Sequence, residues 1–186
     1  MPTPHPLSPP SPWVERFAPL VRAGGPVLDL ACGGGRHLRL FHRRGHPVVG
    51  LDRDLGGVAD LGGSVGVTLI QADLESDDSG GHTAVLPVDG RFAGIVVTNY
   101  LYRPLLPAIL AALEPGGVLI YETFADGNAR FGRPSSPDFL LRRGELLEAV
   151  RGTLQVVAFE QGEVSVPKPA VVQRICAVAG DDPLPL

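Results

Sequence analysis

Val27-Leu28-Asp29-Leu30-Ala31-Cys32-Gly33-Gly34-Gly35-Arg36-His37 is the stretch on which the reading of this chain turns. Val27 to Leu30 reads as a short buried strand, the residues after it are small, and a helix is predicted from about Arg36. A strand, a glycine turn and a helix in that order present unpaired backbone N–H groups and the positive end of a helix dipole. With no Cβ in the way, a nucleotide-like ligand can lie against the main chain. A tight strand-to-helix turn with no ligand is the alternative.

Spacing separates the ligand classes that use such a turn. A dinucleotide fingerprint needs G-x-G-x-x-G. With Gly33 and Gly35 as the first two glycines, the third position falls on Leu38, so that pattern fails. The turn is also preceded by a carboxylate, Asp29, four positions before Gly33. An acid there repels pyrophosphate and suits a ligand with an ammonium group. That favours S-adenosylmethionine, whose amino-acid end is zwitterionic and whose sulfonium is cationic.

Composition bounds the rest. The 186 residues fit one domain, and a net charge of −4 creates no global field that draws nucleic acid. Lys168 is the only lysine. Cys32 and Cys176 are the only cysteines, too few for a disulfide scaffold or a zinc site, and they fit reduced thiols in a cytoplasm. No apolar run approaches the about 18 residues of a membrane span, and no charged-then-apolar leader opens the chain. Six prolines fall within Pro2 to Pro12, so residues 1–12 are expected to form an extended, mobile arm ahead of a domain over 13–186.

After the arm, Trp13, Phe17, Leu20 and Val21 recur at helical spacing, predicting a short amphipathic helix that ends at Gly24-Gly25. Strands are then predicted at about 26–31, 47–51, 67–72, 92–98 and 118–122, with helices at about 36–44, 103–113 and 143–150 and a short one within 54–63. Residues 74–91 are polar and broken. Two β-rich runs, about 153–160 and 170–178, have no helix between them and should pair antiparallel at one edge. Apolar strands alternating with helices imply an α/β fold: a doubly wound, mostly parallel sheet covered on both faces.

In such a sheet, ligands bind beyond the carboxyl ends of the strands. Four predicted strands deliver an acid there: Asp29, Asp52, Asp73 and Glu122. Asp52 follows Gly33 by 19 positions, close to the roughly 20 expected of an acid that grips ribose hydroxyls. Asp73 can accept from an adenine amino group, with Ala72 and Leu74 beside the base, and Asp29 would face the methionyl ammonium. Acids at strand ends also serve as helix caps or solvated turns, which is the competing reading of each one taken singly.

These residues resemble the class I S-adenosylmethionine-dependent methyltransferases, closely over about 26–123 and loosely elsewhere. Residues 27–35 look like that family's first motif, Val49-Gly50-Leu51-Asp52 like its second and Gln71-Ala72-Asp73-Leu74 like its third. Leu113-Glu114-Pro115-Gly116-Gly117-Val118-Leu119-Ile120 is similar to its turn into the fifth strand. The resemblance implies a Rossmann-like, seven-stranded sheet with an antiparallel final strand and S-adenosyl-L-methionine as cofactor. The cofactor contacts expected are Asp29, Ala31, Cys32, Gly33, Gly35, His37, Asp52, Arg53, Ala72, Asp73, Leu74 and Asn99, with no metal site. Two positions depart from the pattern: Ala31 stands where many members have a glycine, and Ala93 replaces an acid that often follows the aromatic opening the fourth strand.

The family geometry makes Thr98-Asn99-Tyr100-Leu101-Tyr102 the expected acceptor floor. Asn99-Tyr100 is faintly similar to the asparagine–proline–proline–aromatic motif of amine methyltransferases, but both prolines are missing, so that activity is not carried over. Asn99, Tyr100 and Glu122 are the catalytic candidates, set against core packing for Tyr100 and a solvated loop acid for Glu122. Tyr121 to Phe124 would form a second wall. The long loop Gly127 to Pro134 and the helix around Trp13 and Phe17 are the expected lid. His37 can touch the ligand, act as a base, or be a plain surface histidine. Arg36, Arg39 and Arg43 share a helix face, read as a solvated face or as a contact for an anionic acceptor or RNA. The expected function is methyl transfer to a small molecule by a monomer or homodimer, without nucleic acid or membrane as partner. An RNA or protein methyltransferase and a non-catalytic S-adenosylmethionine-binding module are the alternatives.

Overall fold

Strand β1, Val27–Leu30, is buried at every residue and lies in the middle of the sheet. It pairs in parallel with β2, Val48–Asp52, on one side and with β4, Phe92–Thr98, on the other. The computed structural model describes residues 8–75 and 84–180; residues 1–7 of the proline-rich arm, 76–83 within the polar stretch after Leu74, and 181–186 lie outside the described residues. Beyond β2 lies β3, Val67–Gln71, and beyond β4 lies β5, Leu113–Phe124, both parallel to their neighbours. The sheet closes with β7, Ala170–Ala179, antiparallel to β5, and β6, Leu154–Val164, antiparallel to β7 at the edge. The seven strands run β3-β2-β1-β4-β5-β7-β6. The expected doubly wound α/β sheet with one antiparallel strand is therefore borne out. The order in which strands are added reverses between β1 and β4, where such sheets open a crevice.

Period-two alternation along the strands builds a core on each face. Leu28, Leu30, Ile95 and Val97 face the helices α3, Leu106–Ala111, and α4, Glu145–Val150, in one cluster. Val27 and Val96 join Leu38 and Phe41 of α2, Arg36–Arg43, and Trp13, Val14 and Phe17 of α1, Pro12–Phe17, in the other. Among the described residues no helix is long and apolar enough to cross a membrane.

Three elements differ from expectation. The first helix stops at Phe17 and tightens into a 3-10 turn over Ala18–Leu20, because Pro19 has no N–H to continue the α ladder. The weak helix within 54–63 is a 3-10 turn, Gly56–Leu61, with Val58 fully buried. Strand β5 begins five residues early: Leu113 pairs with Phe92, the register breaks, and Val118 resumes opposite Gly94. Pro115-Gly116-Gly117 is thus an irregularity inside a strand rather than a turn before it.

Candidate functional site

The glycine turn owes its shape to three left-handed residues, Ala31 (φ 55°), Gly33 (φ 51°) and Gly35 (φ 72°). Gly35 caps α2 without a side chain, and a Cβ there would sit 2.4 Å from Val58 Cγ1. Gly57 brings the 3-10 turn directly against the backbone, where a Cβ would meet Gly34 Cα at 2.9 Å. The acceptor that α2 lacks comes from the sheet: Asp29 Oδ2 accepts from the Leu38 N–H at 2.8 Å. Asp29 is 2% exposed, and burial pushes its carboxyl up to about 7 against the pull of the Leu38 N–H and Arg36. The expected ammonium partner is thus tied to a helix start and does not line the cleft below. Cys32 is buried too, its thiol pushed up to about 12 by burial and then by Asp29 and Asp52.

Beyond the strand tips lies a cleft of about 590 Å³. Ala31, Asp52, Arg53, Ala72, Asp73, Leu74, Asn99 and Tyr100 all line it, so the structure brings together eight of the expected site residues, drawn from four strand ends. Gly33, Gly35, His37 and Glu122 stand outside its lining, as Asp29 and Cys32 do. Asp52 Oδ2 accepts from the Gly33 N–H at 2.8 Å and Oδ1 from the Asp54 N–H at 3.0 Å. Each carboxylate oxygen accepts more than one bond, so both remain able to take a ribose hydroxyl. Asp73 Oδ1 accepts from the Glu75 N–H at 3.0 Å, and half-buried Ala72 and Leu74 flank it. A bare-backbone turn beside an acid that chelates one of its own N–H groups, next to an apolar slot ending in a second acid, fits an adenosyl group.

The other half of the cleft rises from β4 and β5. Asn99 adopts φ 55° and its N–H donates to the Glu122 carbonyl at 3.0 Å, which turns the chain out of β4. Leu101, Thr123 and Phe124 complete this side, joined by Pro134 and Phe139 from the segment after β5. The Tyr121 hydroxyl donates to the Tyr100 carbonyl at 2.9 Å and holds the floor in place. Among the described residues the buried Tyr100 hydroxyl has no partner in hydrogen-bond geometry, and burial followed by the nearby Glu75 carboxylate raises its pKa. Tyr100 is a proton donor at neutral pH, not a base.

Nor are the other two expected bases free. Glu122 Oε1 accepts from the Ser11 hydroxyl at 2.7 Å, and Oε2 from Arg174 at 3.1 Å. His37 is 2% exposed, not a surface residue. Its Nε2 accepts the Ser11 N–H at 3.1 Å, which places the ring proton on Nδ1, 3.4 Å from Thr98 Oγ1. Burial and the Arg36 charge lower His37 to about 3, so the ring stays neutral. Ser11 therefore straps the start of the domain across the tips of α2 and β5. Glu122→Ala is expected to lower stability by on the order of 1–3 kcal/mol, because it strands the buried Ser11 hydroxyl and leaves Arg174 with Glu160 as its one carboxylate partner. A thermal midpoint within about a degree of the unchanged protein would show that the strap does not depend on Glu122.

The expected lid is redrawn. Trp13 and Phe17 are core residues at 2% and 6% exposure, with the Trp13 indole donating to the Ile175 carbonyl. Of the loop Gly127 to Pro134, only Pro134 reaches the cleft. The arginine face is engaged as well: Arg39 forms a two-pronged pair with Asp60, and Arg36 donates to the Pro9 carbonyl. Sequence reasoning missed Ser11, Glu75 and Phe139. Ser11 lies 111 positions from its carboxylate partner, and Phe139 sits in a Ser-Pro-Asp-Phe turn that carries no periodic signal.

Comparison with known proteins agrees with this geometry. A family model described as a methyltransferase domain matches residues 8–155. No curated protein matches the sequence. Among solved structures, TehB from Haemophilus influenzae superposes with a TM-score of 0.68 at 15% identity, over 90% of this chain and 61% of that one. This chain thus spans less than two thirds of TehB. The glycopeptide N-methyltransferase MtfA complexed with S-adenosyl-L-homocysteine gives 0.58 at 22% identity, over 89% and 88%. A Burkholderia thailandensis 1,6-didemethyltoxoflavin N1-methyltransferase, with its substrate and S-adenosylhomocysteine bound, gives 0.64 at 20%, over 91% and 76%. At such identities these likenesses speak for the fold, and the family match for the chemistry: the chain belongs to the methyltransferase-domain family and is a class I S-adenosylmethionine-dependent methyltransferase.

Proposed function

We propose that the protein methylates a small molecule, with Asp52 gripping the ribose hydroxyls, Asp73 accepting from the adenine amino group, and Ala72 and Leu74 flanking the base. Asn99 and Tyr100 bound the reaction point between the cofactor half and the acceptor half. The observation that carries this reading is the single cleft in which the acids at the tips of β2 and β3 meet the tip of β4. S-adenosylmethionine supplies an electrophilic methyl group whose bonding pair stays with sulfur as the acceptor's lone pair closes on carbon. The chain's own contribution is alignment and exclusion of water. Tyr100, Glu122 and His37 are each unsuited to take a proton, which favours an acceptor that is nucleophilic without a strong base.

A small molecule fits better than RNA. Three carboxylates, Asp52, Asp73 and Glu75, line the cleft against one guanidinium, Arg53, and a phosphate backbone would be repelled. The two cysteines are free and buried, which fits a reducing compartment. Thermal-shift titration with S-adenosylmethionine, S-adenosylhomocysteine, NAD and NADP tests the cofactor half. Stabilisation by the first two alone is expected, near 2.7 kcal/mol at about 100 times Kd, or roughly 5–10 °C for a domain of this size. An equal shift with NAD would overturn the reading. Transfer of labelled methyl to RNA but to no small molecule would move the acceptor to the alternative.

A further inference from the structure

The acceptor half of the cleft has a chemistry of its own. Phe124, Pro134 and Phe139 form its walls, and among the described residues the Tyr100 hydroxyl, near the Glu75 carboxylate, is a buried polar atom without a partner in hydrogen-bond geometry. Phe139 is 48% exposed, so its ring stands at the rim rather than in the core. Its backbone is nonetheless held: Arg103, just beyond the floor, donates to the carbonyls of Asp138 and Leu140 at 2.8 Å each and pairs with Glu145 at 2.6 Å. An exposed ring on a bracketed backbone is a prepared surface, ordered before any ligand arrives. A buried hydroxyl with no partner costs free energy until something accepts from it.

We propose that this compartment takes a planar heteroaromatic acceptor, neutral or cationic, whose ring lies against Phe124, Pro134 and Phe139 and which presents a ring nitrogen or carbonyl oxygen to the Tyr100 hydroxyl. This rests on the methyltransferase reading above. Flat apolar walls select a flat ring. A hydroxyl that stays protonated selects an acceptor atom, and the excess of carboxylates rejects an anion. The methylated atom is then a second nitrogen, one whose lone pair the Tyr100 hydroxyl does not engage. That pair forms the new N–C bond, sulfur keeps the old one, and the product is a cation that the carboxylates of Asp73 and Glu75 favour. Any proton it sheds goes to water.

Isothermal titration in the presence of saturating S-adenosylhomocysteine tests this with four probes: quinoline, naphthalene, benzoate and cyclohexylamine. Quinoline is expected to bind about tenfold or more tightly than the other three. Tyr100→Phe should bring quinoline down to the level of naphthalene. Phe139→Ala should weaken both aromatic probes by about tenfold while its S-adenosylhomocysteine affinity stays unchanged. Benzoate or cyclohexylamine binding as well as quinoline, a quinoline preference that survives Tyr100→Phe, or silence from all four probes while S-adenosylhomocysteine binds would overturn this proposal alone. Failure of S-adenosylhomocysteine to bind would overturn the cofactor reading beneath it, and this proposal with it.

Discussion

Asp52→Ala is expected to weaken S-adenosylhomocysteine binding by on the order of 1.5–3 kcal/mol, roughly 10- to 150-fold in Kd, measured by calorimetry on the folded variant. The side chain does two things in one place. It presents acceptors toward the cleft, and it closes the glycine turn by accepting from Gly33 and Asp54. Removing it frees two backbone donors at the turn and takes away the charge-assisted bonds proposed for the ribose hydroxyls. Asp52→Asn separates the two contributions. Its amide oxygen can still accept from the Gly33 N–H, which keeps that end of the turn closed, but its NH2 cannot accept from Asp54 and it offers one acceptor oxygen instead of two. It should therefore fall between the native protein and the alanine variant. An alanine variant with native affinity would remove Asp52 from the site. A variant that binds weakly but melts many degrees lower would show that the turn, rather than the ribose, depends on this acid.

How much of this could be read beforehand depends on how local the physics is. Strands β1, β2 and β4 were legible because a strand covered on both faces is a mostly apolar run, and these three runs sit between turn residues. The extension of β5 was not: Pro115, Gly116 and Gly117 carry strong turn preferences, and only the pairing of Leu113 with Phe92 makes them part of a strand. The expected end of the first helix failed for a smaller reason. Pro19 outweighs the periodicity of Leu20 and Val21, which fall on a 3-10 turn and beyond it.

The site divides in the same way. Asp52 and Asp73 were legible because their place follows from strand ends and a count along the chain, and both line the cleft. The fates of Glu122 and His37 were not, because both are set by Ser11, a residue in a segment whose composition says only that it is extended. Asp29 shows a subtler limit. Its position beside the turn was right, but which way a strand-end carboxylate turns depends on burial. Here it turns inward to the uncapped start of α2.

That inward orientation has a thermodynamic consequence. The Asp29 carboxyl titrates near 7 when folded and at 3.8 when unfolded. Between those values the folded protein holds a proton that the unfolded chain has released. Stability from this group is thus fully present below about pH 4 and is lost as pH rises through 7, at up to about 1.4 kcal/mol per pH unit. His37 runs the other way. Its folded value near 3 lies below its ordinary 6.5, so its contribution is present above 6.5 and is lost as pH falls toward 3. Over pH 4–6.5 the two slopes oppose each other and largely cancel. Asp29→Asn removes one of them, since the amide oxygen still accepts from Leu38 and carries no charge at any pH. The variant should match the native protein near pH 4 and exceed it near pH 8 by on the order of 3–4 kcal/mol, read from denaturant midpoints at several pH values. It should also show the His37 slope uncovered, with stability rising from pH 4 to 6.5. The same variant decides what Asp29 does for the ligand. If the carboxylate only caps α2, S-adenosylhomocysteine affinity survives the amide; if it holds the ammonium across the turn, affinity falls about tenfold or more. A stability difference that does not vary with pH would mean that Asp29 is charged in the folded protein, and the buried proton would be abandoned.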